Sequence, residues 1–310
     1  MPPSPRFLTG ILISAAGALC FSTKAVFVKL AYMDSAPEPL TLLAVRMLFS
    51  LPFFSVSAAV ALWRNPAPRS WKQWIAIAAT GLLGYHISSL LDFAGLQHIS
   101  AGLERLILFT YPTLVLLMSA ALFRERVTGR QWIAVVLSYA GIALAFQGEY
   151  ATGGDDGRLV LGAVLVFGCA ITYGSYIVAS GRIIRTTSPS LFNSFSMLAA
   201  CAGVLLHHAV AGMGSLYDLP GSTWWYGFLM AVISTVIPSY LISESIRRIG
   251  SGNTAIVASI GPVSTIFMAW WLLDEQVTVL QLAGTAAILC SVWLVASTGK
   301  AVEQNADLKG

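Results

Sequence analysis

The chain has 310 residues, of which 56% are hydrophobic and only 10% are charged, and it carries a formal net charge of +4 at pH 7. Soluble globular domains contain about 25% charged residues, so this composition, with a mean hydropathy of +0.75, excludes a water-soluble globular fold. No Cys-x-x-Cys or His/Cys cluster is present, which argues against a disulfide framework and against a metal site. The four cysteines lie in apolar runs: Cys20, Cys169, Cys201 and Cys290.

Ten apolar runs follow one another along the chain. Each is long enough to cross a hydrocarbon core about 30 Å thick as an α-helix. They predict an all-α polytopic membrane protein with ten transmembrane helices, and the lipid bilayer is its first partner. The runs lie at about 8–31, 40–62, 73–96, 103–123, 131–148, 159–180, 190–211, 224–246, 253–273 and 279–297.

The loops between these runs differ sharply in charge. Thirteen basic residues occupy the two terminal segments and every second loop, whereas the other loops are acidic and contain one basic residue, Arg158. The positive-inside rule then predicts that both termini are cytoplasmic, as in a multi-pass protein of the bacterial inner membrane. The positive charge therefore indicates topology and not a nucleic-acid partner. The thirteen residues are Arg6, Arg64, Arg69, Lys72, Arg124, Arg126, Arg130, Arg182, Arg185, Arg247, Arg248, Lys300 and Lys309.

One stretch of sequence occurs twice. Gly102–Gln131 and Gly252–Gln281 align without a gap at an offset of 150 residues. Five spans per copy is an odd number, so the second copy enters the membrane upside down, which predicts two inverted five-helix repeats around a central site. The expected organisation is a first repeat at 1–148, a periplasmic linker at 149–158, a second repeat at 159–298 and a cytoplasmic tail at 299–310. The identical pairs are Gly102/Gly252, Pro112/Pro262, Met118/Met268, Leu122/Leu272, Glu125/Glu275, Val127/Val277, Thr128/Thr278 and Gln131/Gln281.

A glutamate ends the fourth span of each copy, in Arg-Glu-Arg-Val-Thr at 124–128 and Asp-Glu-Gln-Val-Thr at 274–278. With two five-span units, this pattern resembles the drug/metabolite transporter (DMT) superfamily, and more narrowly its tandem EamA-type metabolite exporters, over residues 8–297. Among these the chain is most similar to the YddG-type bacterial exporters of aromatic and other neutral amino acids. The resemblance implies export of small metabolites by alternating access, in which one central site faces each side of the membrane in turn.

The repeated prolines Pro112 and Pro262 each lie about ten residues into their span. Each removes a backbone hydrogen bond and is predicted to kink its helix near the middle of the bilayer. Two interpretations are open, since symmetry-related kinks can act as gate elements or can simply serve packing.

Five charged residues are predicted within the membrane, in the outer half of the first repeat, and the second repeat lacks counterparts. A charge at the membrane centre costs roughly 2.5–3.5 kcal/mol even on the mildest scale, so each requires a reason. One interpretation is an ion-paired network that closes the outer gate. The other is a substrate site in which Lys24 or Arg46 contacts a carboxylate. The remaining members are Asp92, Glu104 and Arg105.

Polar stripes on several spans predict a cavity. Tyrosine and hydroxyl side chains recur at helical spacing on spans three, six and eight, and such stripes either line a cavity or bond neighbouring helices. His86 is a candidate for proton coupling because histidine titrates near neutral pH, although a satisfied hydrogen-bonding histidine is the alternative. The predicted cavity residues are Lys24, Tyr85, His86, Ser89, Tyr111, Tyr173, Tyr176, Ser239 and Tyr240.

These features favour a transporter that exports small metabolites, with neutral or aromatic amino acids as the expected substrates and with the solute gradient or protons as the driving force. A drug or toxic-cation exporter of the same superfamily is the alternative, and it would need an accessible carboxylate such as Asp92 or Glu104. A different metabolite permease and a channel also remain open. No HExxH or Gly-x-Ser-x-Gly motif indicates an enzyme, and no cofactor is expected.

Overall fold

The computed structural model describes residues 5–64, 70–124, 127–151, 156–184 and 186–307. In this part of the chain all regular structure is helical. The helices are α1 (Pro5–Asp34), α2 (Pro39–Arg64), α3 (Trp71–Gly81), α4 (Ser88–Leu96), α5 (Ala101–Leu108), α6 (Tyr111–Phe123), α7 (Gly129–Tyr150), α8 (Asp156–Ile183), α9 (Pro189–Val210), α10 (Gly221–Ala231), α11 (Ile237–Ala258), α12 (Ile260–Leu273) and α13 (Val279–Asp307), with π-helical segments at Leu82–Ile87 and Val232–Val236 and a 3₁₀ turn at Leu216–Asp218.

Nine helical stretches within the described residues are long and apolar enough to cross a membrane, so the chain is a polytopic helical membrane protein. In lipid the backbone must satisfy its own hydrogen bonds, which is why apolar runs of this length form helices. The first part of α13, Val279–Val295, is a tenth apolar stretch and is shorter than the other nine. The tenth span and the cytoplasmic position of both termini therefore stay predictions.

The sequence repeat extends to irregularities of the backbone. The π-helical segments begin at Leu82 and Val232, which are 150 residues apart. Arg124 and Asp274 end α6 and α12 in the same left-handed conformation, with φ of 56° and 54°. The two halves are therefore built alike, down to departures from helical geometry.

Each repeated proline lies just after a break in its span. Phe109 leaves helical geometry between α5 and α6, and Pro112 follows in the first turn of α6. Pro262 is the third residue of α12, which begins directly after Ser259. Proline is well tolerated in a first helical turn because the backbone N–H that it lacks has no partner there. The roles of the two breaks in gating stay predictions.

Helices of the two halves pack directly against each other. Helix α1 packs on α11 and α12, α2 on α9, and α7 on α13, its counterpart in the second half. At the α7–α13 crossing, a Cβ on Gly141 would lie 2.8 Å from the Gly284 carbonyl oxygen, and a Cβ on Gly284 would overlap the Gly141 carbonyl. Small residues of this kind let membrane helices approach closely. The glycines therefore set the spacing at this contact between the halves.

The two ends of the helix bundle differ in their contacts and charges. At one end lie the connections at 34–39, 96–101, 210–221 and 273–279. The Ser35 and Thr223 hydroxyls meet there at 3.0 Å. We call this the acidic end. At the other end, the described parts of the connections carry basic residues such as Arg64 and Arg124, and the Arg182 guanidinium stacks 4.2 Å from the centre of the Phe123 ring. We call this the basic end.

Candidate functional site

A cavity of about 590 Å³ lies among helices of both halves. Its lining extends from the charged residues on α1, α2, α4 and α5 to residues near the basic end, such as Asn193 and Val295. Six predicted cavity residues belong to the lining, as do three members of the predicted charge cluster and one predicted kink residue. These ten are Lys24, Tyr85, Ser89, Tyr111, Tyr173, Ser239, Arg46, Asp92, Arg105 and Pro112.

Three residues expected in the cavity lie outside its lining. His86 Nε2 lies 3.1 Å from His207 Nδ1 on α9, in a pair that is partly exposed at the surface of the bundle. Tyr240 is 53% exposed, because Ser239, Ile242 and Ser243 define the cavity face of α11 and Tyr240 lies off that face. Tyr176 is buried behind Tyr85. The structure thus places these three residues outside the lining, and their part in binding a solute stays a prediction.

His86 lies one residue off the cavity face of its span. Tyr85, Ser88, Ser89 and Asp92 follow helical spacing and all line the cavity. His86 belongs to the π-helical segment Leu82–Ile87, as Tyr85 does. The residue after Tyr85 points to another side of the helix, where it meets His207 on α9.

Lys24 is the centre of a buried charge cluster. Its Nζ lies 2.6 Å from Asp92 Oδ2 and 3.3 Å from Glu104 Oε1. Its side chain is 7% exposed, and those of Asp92 and Glu104 are 2% and 0% exposed. Glu104 lies behind the cavity wall and Asp92 reaches the lining. Because one ammonium group holds both carboxylates, Lys24 has no charge left over for a solute carboxylate.

Arg46 lies beside this cluster without an ionic partner of its own in the described residues. Its Nε donates to the Thr235 hydroxyl at 3.0 Å, and its guanidinium carbon lies 5.6 Å from the centre of the Phe93 ring. Its Nη1 is buried and has no hydrogen-bond partner. The guanidinium is thus held by a hydroxyl and an aromatic face.

Arg105 is held in a similar way. Its Nη2 donates weakly to the Ser22 hydroxyl at 3.4 Å, and its guanidinium carbon lies 4.9 Å and 6.0 Å from the ring centres of Phe21 and Phe109. Its Nε is buried without a partner, and no ion pair with a described carboxylate is formed. A Cβ on Gly261, in the second half of the chain, would lie 3.1 Å from Nη2. Arg105 therefore sits where the two halves meet.

Tyrosines form an aromatic wall beside the arginines. The Tyr111 and Tyr173 rings meet edge to face at 5.2 Å, and Tyr85 meets Tyr176 at 5.0 Å. The Tyr85 and Tyr176 hydroxyls are 3.2 Å apart. Edge-to-face geometry is the preferred arrangement of aromatic pairs and fixes the orientation of each ring. Tyr176, although outside the lining, thus supports the wall from behind.

Helix α11 and the π-helical segment Val232–Val236 before it supply hydroxyl groups to the cavity. Thr235 donates to the Met230 carbonyl at 2.9 Å, five residues earlier, and accepts from Arg46. Ser239 donates to the Val236 carbonyl at 2.7 Å. Because each hydroxyl hydrogen is used within the helix, these oxygens face the cavity mainly as acceptors.

The site list from the sequence lacked several lining residues. Phe21 and Phe109, which stack on Arg105, were not singled out. Helical spacing offered a signal for both, since Phe21 precedes Lys24 by three residues and Phe109 follows Arg105 by four. Asn193 near the start of α9 was also missed, and its sequence context contains no comparable signal.

The acidic end is closed by contacts around α4 and α5. Glu275, from the second half, accepts from the backbone N–H groups of Ala101 and Gly102 at 2.8 and 3.3 Å.

Two residues of the first half add to these contacts. Glu149 accepts from the Ser100 N–H at 2.7 Å and from the Ser100 hydroxyl. Lys29 donates to the Leu96 and Ile99 carbonyls at 3.2 and 2.9 Å. Carboxylates at a helix N-terminus and an ammonium at a helix C-terminus each complement the helix dipole. Glu125, the counterpart of Glu275, lies outside the described residues.

Comparison with known proteins matches both halves of the chain to one family. The model of the EamA-like transporter family matches residues 8–147 and again 160–297. The uncharacterized transporter YcbK of Bacillus subtilis is 31% identical over 290 residues, which cover 90% of each chain. The uncharacterized transporter sll1319 of Synechocystis is 23% identical and covers 94% of this chain, with 96% of its own length aligned. A solved crystal structure superimposes with a TM-score of 0.63 at 20% identity, over 96% of this chain and 99% of that one, and supports the fold.

Proposed function

Because the chain belongs to the EamA-like transporter family and is a membrane transporter, we propose that it exports neutral and aromatic amino acids across the bacterial inner membrane. In this proposal the solute occupies the central cavity between two inverted five-helix repeats and leaves by alternating access. All ten apolar helices cross the membrane, and both termini are cytoplasmic.

The chemistry of the cavity is the observation that carries the proposal. Tyrosine and phenylalanine rings line one side, hydroxyls of α11 line another, and the guanidinium groups lie at one end. The volume of about 590 Å³ lies within the range of roughly 300–1,000 Å³ typical of small-molecule sites. Such a cavity suits a solute with an apolar side chain and a small polar end.

The same geometry weighs against a drug or toxic-cation exporter. That function requires a carboxylate that a solute cation can reach. Asp92 and Glu104, the candidates from the sequence, both bind Lys24 and are almost fully buried. A cationic solute would have to displace the Lys24 ammonium, so we favour a zwitterionic or anionic solute.

The arrangement of the bundle supports an inward-facing state. The cavity lining reaches residues close to the basic end, which the positive-inside rule assigns to the cytoplasm. The acidic end is closed by the contacts of Glu275, Glu149 and Lys29. Export then requires these contacts to break while the basic end closes. The energy source in this scheme is either the solute gradient or protons.

Exchange in liposomes tests this proposal. Purified protein in liposomes loaded with unlabelled amino acid should take up labelled threonine, methionine or phenylalanine by counterflow, whereas protein-free liposomes should not. Absence of protein-dependent flux for all three amino acids would reject the proposal. Selective uptake of a quaternary ammonium compound would instead favour the cation exporter.

A further inference from the structure

We propose that Arg105, together with Arg46, binds the carboxylate of the transported solute, and that the cavity does not require a solute ammonium group. This inference rests on the proposed function and names its substrate class, which is monocarboxylates with an apolar or aromatic tail. Amino acids are then one kind of member of a wider class.

The buried cluster contains more positive than negative charges. It holds three cations, Lys24, Arg46 and Arg105, and two anions, Asp92 and Glu104. Three positive and two negative charges leave a net charge of +1. Lys24 already binds both anions, so the excess positive charge lies on the arginines.

Each of the two arginines has a buried hydrogen-bond donor without a partner. Arg46 Nη1 and Arg105 Nε are buried and have no partner. A buried donor without an acceptor is costly, and one on a charged group is costlier. Both side chains also line the cavity. A carboxylate matches a guanidinium in both charge and geometry, and a small turn of either side chain toward the cavity would bring its buried donor to a solute carboxylate.

The surroundings of Arg105 fix its plane. The rings of Phe21 and Phe109 flank its guanidinium, and Gly261 leaves room beside Nη2. A planar group held in this way is prepared for a carboxylate before the solute arrives, which lowers the entropic cost of binding. Phe109 also contacts Tyr111 at 6.1 Å. A carboxylate on Arg105 therefore directs an apolar tail toward the tyrosine wall.

No equivalent site for an ammonium group is present among the described residues lining the cavity. Asp92 contributes the only carboxylate of the lining within that part of the chain, and its Oδ2 is bound to Lys24. Its Oδ1 has no partner, but Lys24 at Oδ2 and the two arginines nearby leave the cluster as a whole with a net positive charge. The α-ammonium of an amino acid can thus contact acceptor hydroxyls on α11, and it adds no ion pair.

Three phenylalanine analogues separate these contributions. Each competes with labelled phenylalanine in counterflow: phenylalanine itself, 3-phenylpropionate, which lacks the ammonium, and phenethylamine, which lacks the carboxylate. We expect 3-phenylpropionate to compete as well as phenylalanine does, within about 3-fold, and phenethylamine to compete at least about 10-fold less well, as expected for a lost charge-assisted hydrogen bond. If phenethylamine competes as well as 3-phenylpropionate, the inference is wrong, although the proposed function stands.

Variants then assign the contact to the arginines. Arg105→Gln and Arg46→Gln should each weaken competition by 3-phenylpropionate by about 10-fold or more while leaving the weak competition by phenethylamine unchanged. Arg247→Gln is the matched control, because Arg247 is 67% exposed and pairs with Glu244 on α11, outside the cavity lining. Wild-type affinity for carboxylates in both cavity variants would overturn the assignment.

Two further measurements keep the two proposals distinguishable. If a Gln variant fails to fold, Arg105→Lys replaces it, because lysine keeps the charge and lacks the planar guanidinium. This variant should bind carboxylates with intermediate affinity. Wild-type affinity in Arg105→Lys would contradict a role for the planar guanidinium. The analogue series with the wild-type protein needs no variant. If labelled 3-phenylpropionate is transported and no amino acid is, the proposed amino-acid function fails while the carboxylate site stands.

Discussion

The carboxylate of Glu275 accepts a hydrogen bond from the backbone N–H of Ala101 at 2.8 Å, across 174 residues of sequence. A side chain from the second half of the chain thus caps a helix of the first half. Asp274, immediately before it, adopts a left-handed conformation with φ of 54°. This turn directs Glu275 back toward α5, so Glu275 forms a contact between the halves.

Glu275→Ala should destabilise the protein by about 0.5–2 kcal/mol, because the first amides of α5 lose their acceptor. Glu275→Gln should cost less, since one amide oxygen can still accept. Thermal unfolding in detergent measures both variants. Gln276→Ala is the matched control, because Gln276 is the exposed neighbour of Glu275. Equal stability of the Glu275→Ala and Gln276→Ala proteins would contradict the capping role.

Lys24→Met should be severely destabilising, by about 3–5 kcal/mol, because it leaves two buried carboxylates without a counter-charge. The effect should diminish when Asp92→Asn and Glu104→Gln are added, since neutral amides need no counter-charge. The yield of monodisperse protein and its unfolding temperature report on both proteins. A single variant as stable as wild type, or a triple variant no better than the single one, would show that Lys24 does not hold the cluster together.

The sequence could predict much of the helical framework but less of the site. Hydropathy locates the apolar spans because lipid forces backbone hydrogen bonds into helices. Depth along each helix brings Lys24, Arg46 and Asp92 to one level, which follows from the rise of 1.5 Å per residue. The choice of partners within that level depends on how the helices are rotated about their axes, and rotation is set by packing. For this reason the sequence left open whether Lys24 pairs with carboxylates or contacts a solute, and in the structure it binds both carboxylates.

The π-helical segments are a second limit on prediction. Nothing in the residues around Leu82 distinguishes a π-helical turn from an α-helical one. His86 belongs to this segment and contacts His207 on α9, whereas Tyr85 just before it lines the cavity. The segment at Val232 would have been equally hard to foresee, even though the repeat relates it to the first.

Gly81→Ala should destabilise the protein by roughly 1–3 kcal/mol, as overpacking does in well-packed interiors. A Cβ on Gly81 would overlap the backbone carbonyl of Ser196, which cannot move aside as a flexible side chain could. Gly181→Ala is the control, since no atom lies within 4 Å of a Cβ at this position near the end of α8. There alanine should be neutral or stabilising by about 0.5–1 kcal/mol. Similar unfolding temperatures for the two variants would contradict the close contact between α3 and α9.

His86→Ala should leave amino-acid flux, and its response to a pH gradient, at the wild-type level. His86 lies outside the cavity lining and contacts His207 at the surface of the bundle. His207→Ala should behave in the same way, because it removes the other half of the same pair. Flux measured in liposomes with and without an imposed pH gradient tests both variants. Loss of the pH response in His86→Ala alone would restore the proton-coupling role that the sequence suggested.

Tyr173→Ala should separate aromatic from aliphatic substrates. Tyr173 lines the cavity and contacts Tyr111 edge to face at 5.2 Å. An aromatic contact contributes about 0.5–1.5 kcal/mol beyond its buried area, so the affinity for phenylalanine should fall by about 2- to 13-fold. The affinity for threonine should change by less than about 2-fold, since threonine has no ring to pack against the wall. Competition against a common labelled substrate gives both values in one preparation.

Two further variants determine whether that difference belongs to the wall. Tyr173→Phe keeps the ring and should retain the preference for phenylalanine. Tyr139→Ala removes a tyrosine that packs against Phe167 at 6.2 Å and lies outside the lining, so it should leave the preference unchanged. A parallel loss of phenylalanine and threonine affinity in Tyr173→Ala would mean that the side chain supports the shape of the cavity without contacting the solute. A selective loss of phenylalanine affinity, restored in Tyr173→Phe, assigns the apolar tail of the solute to this wall.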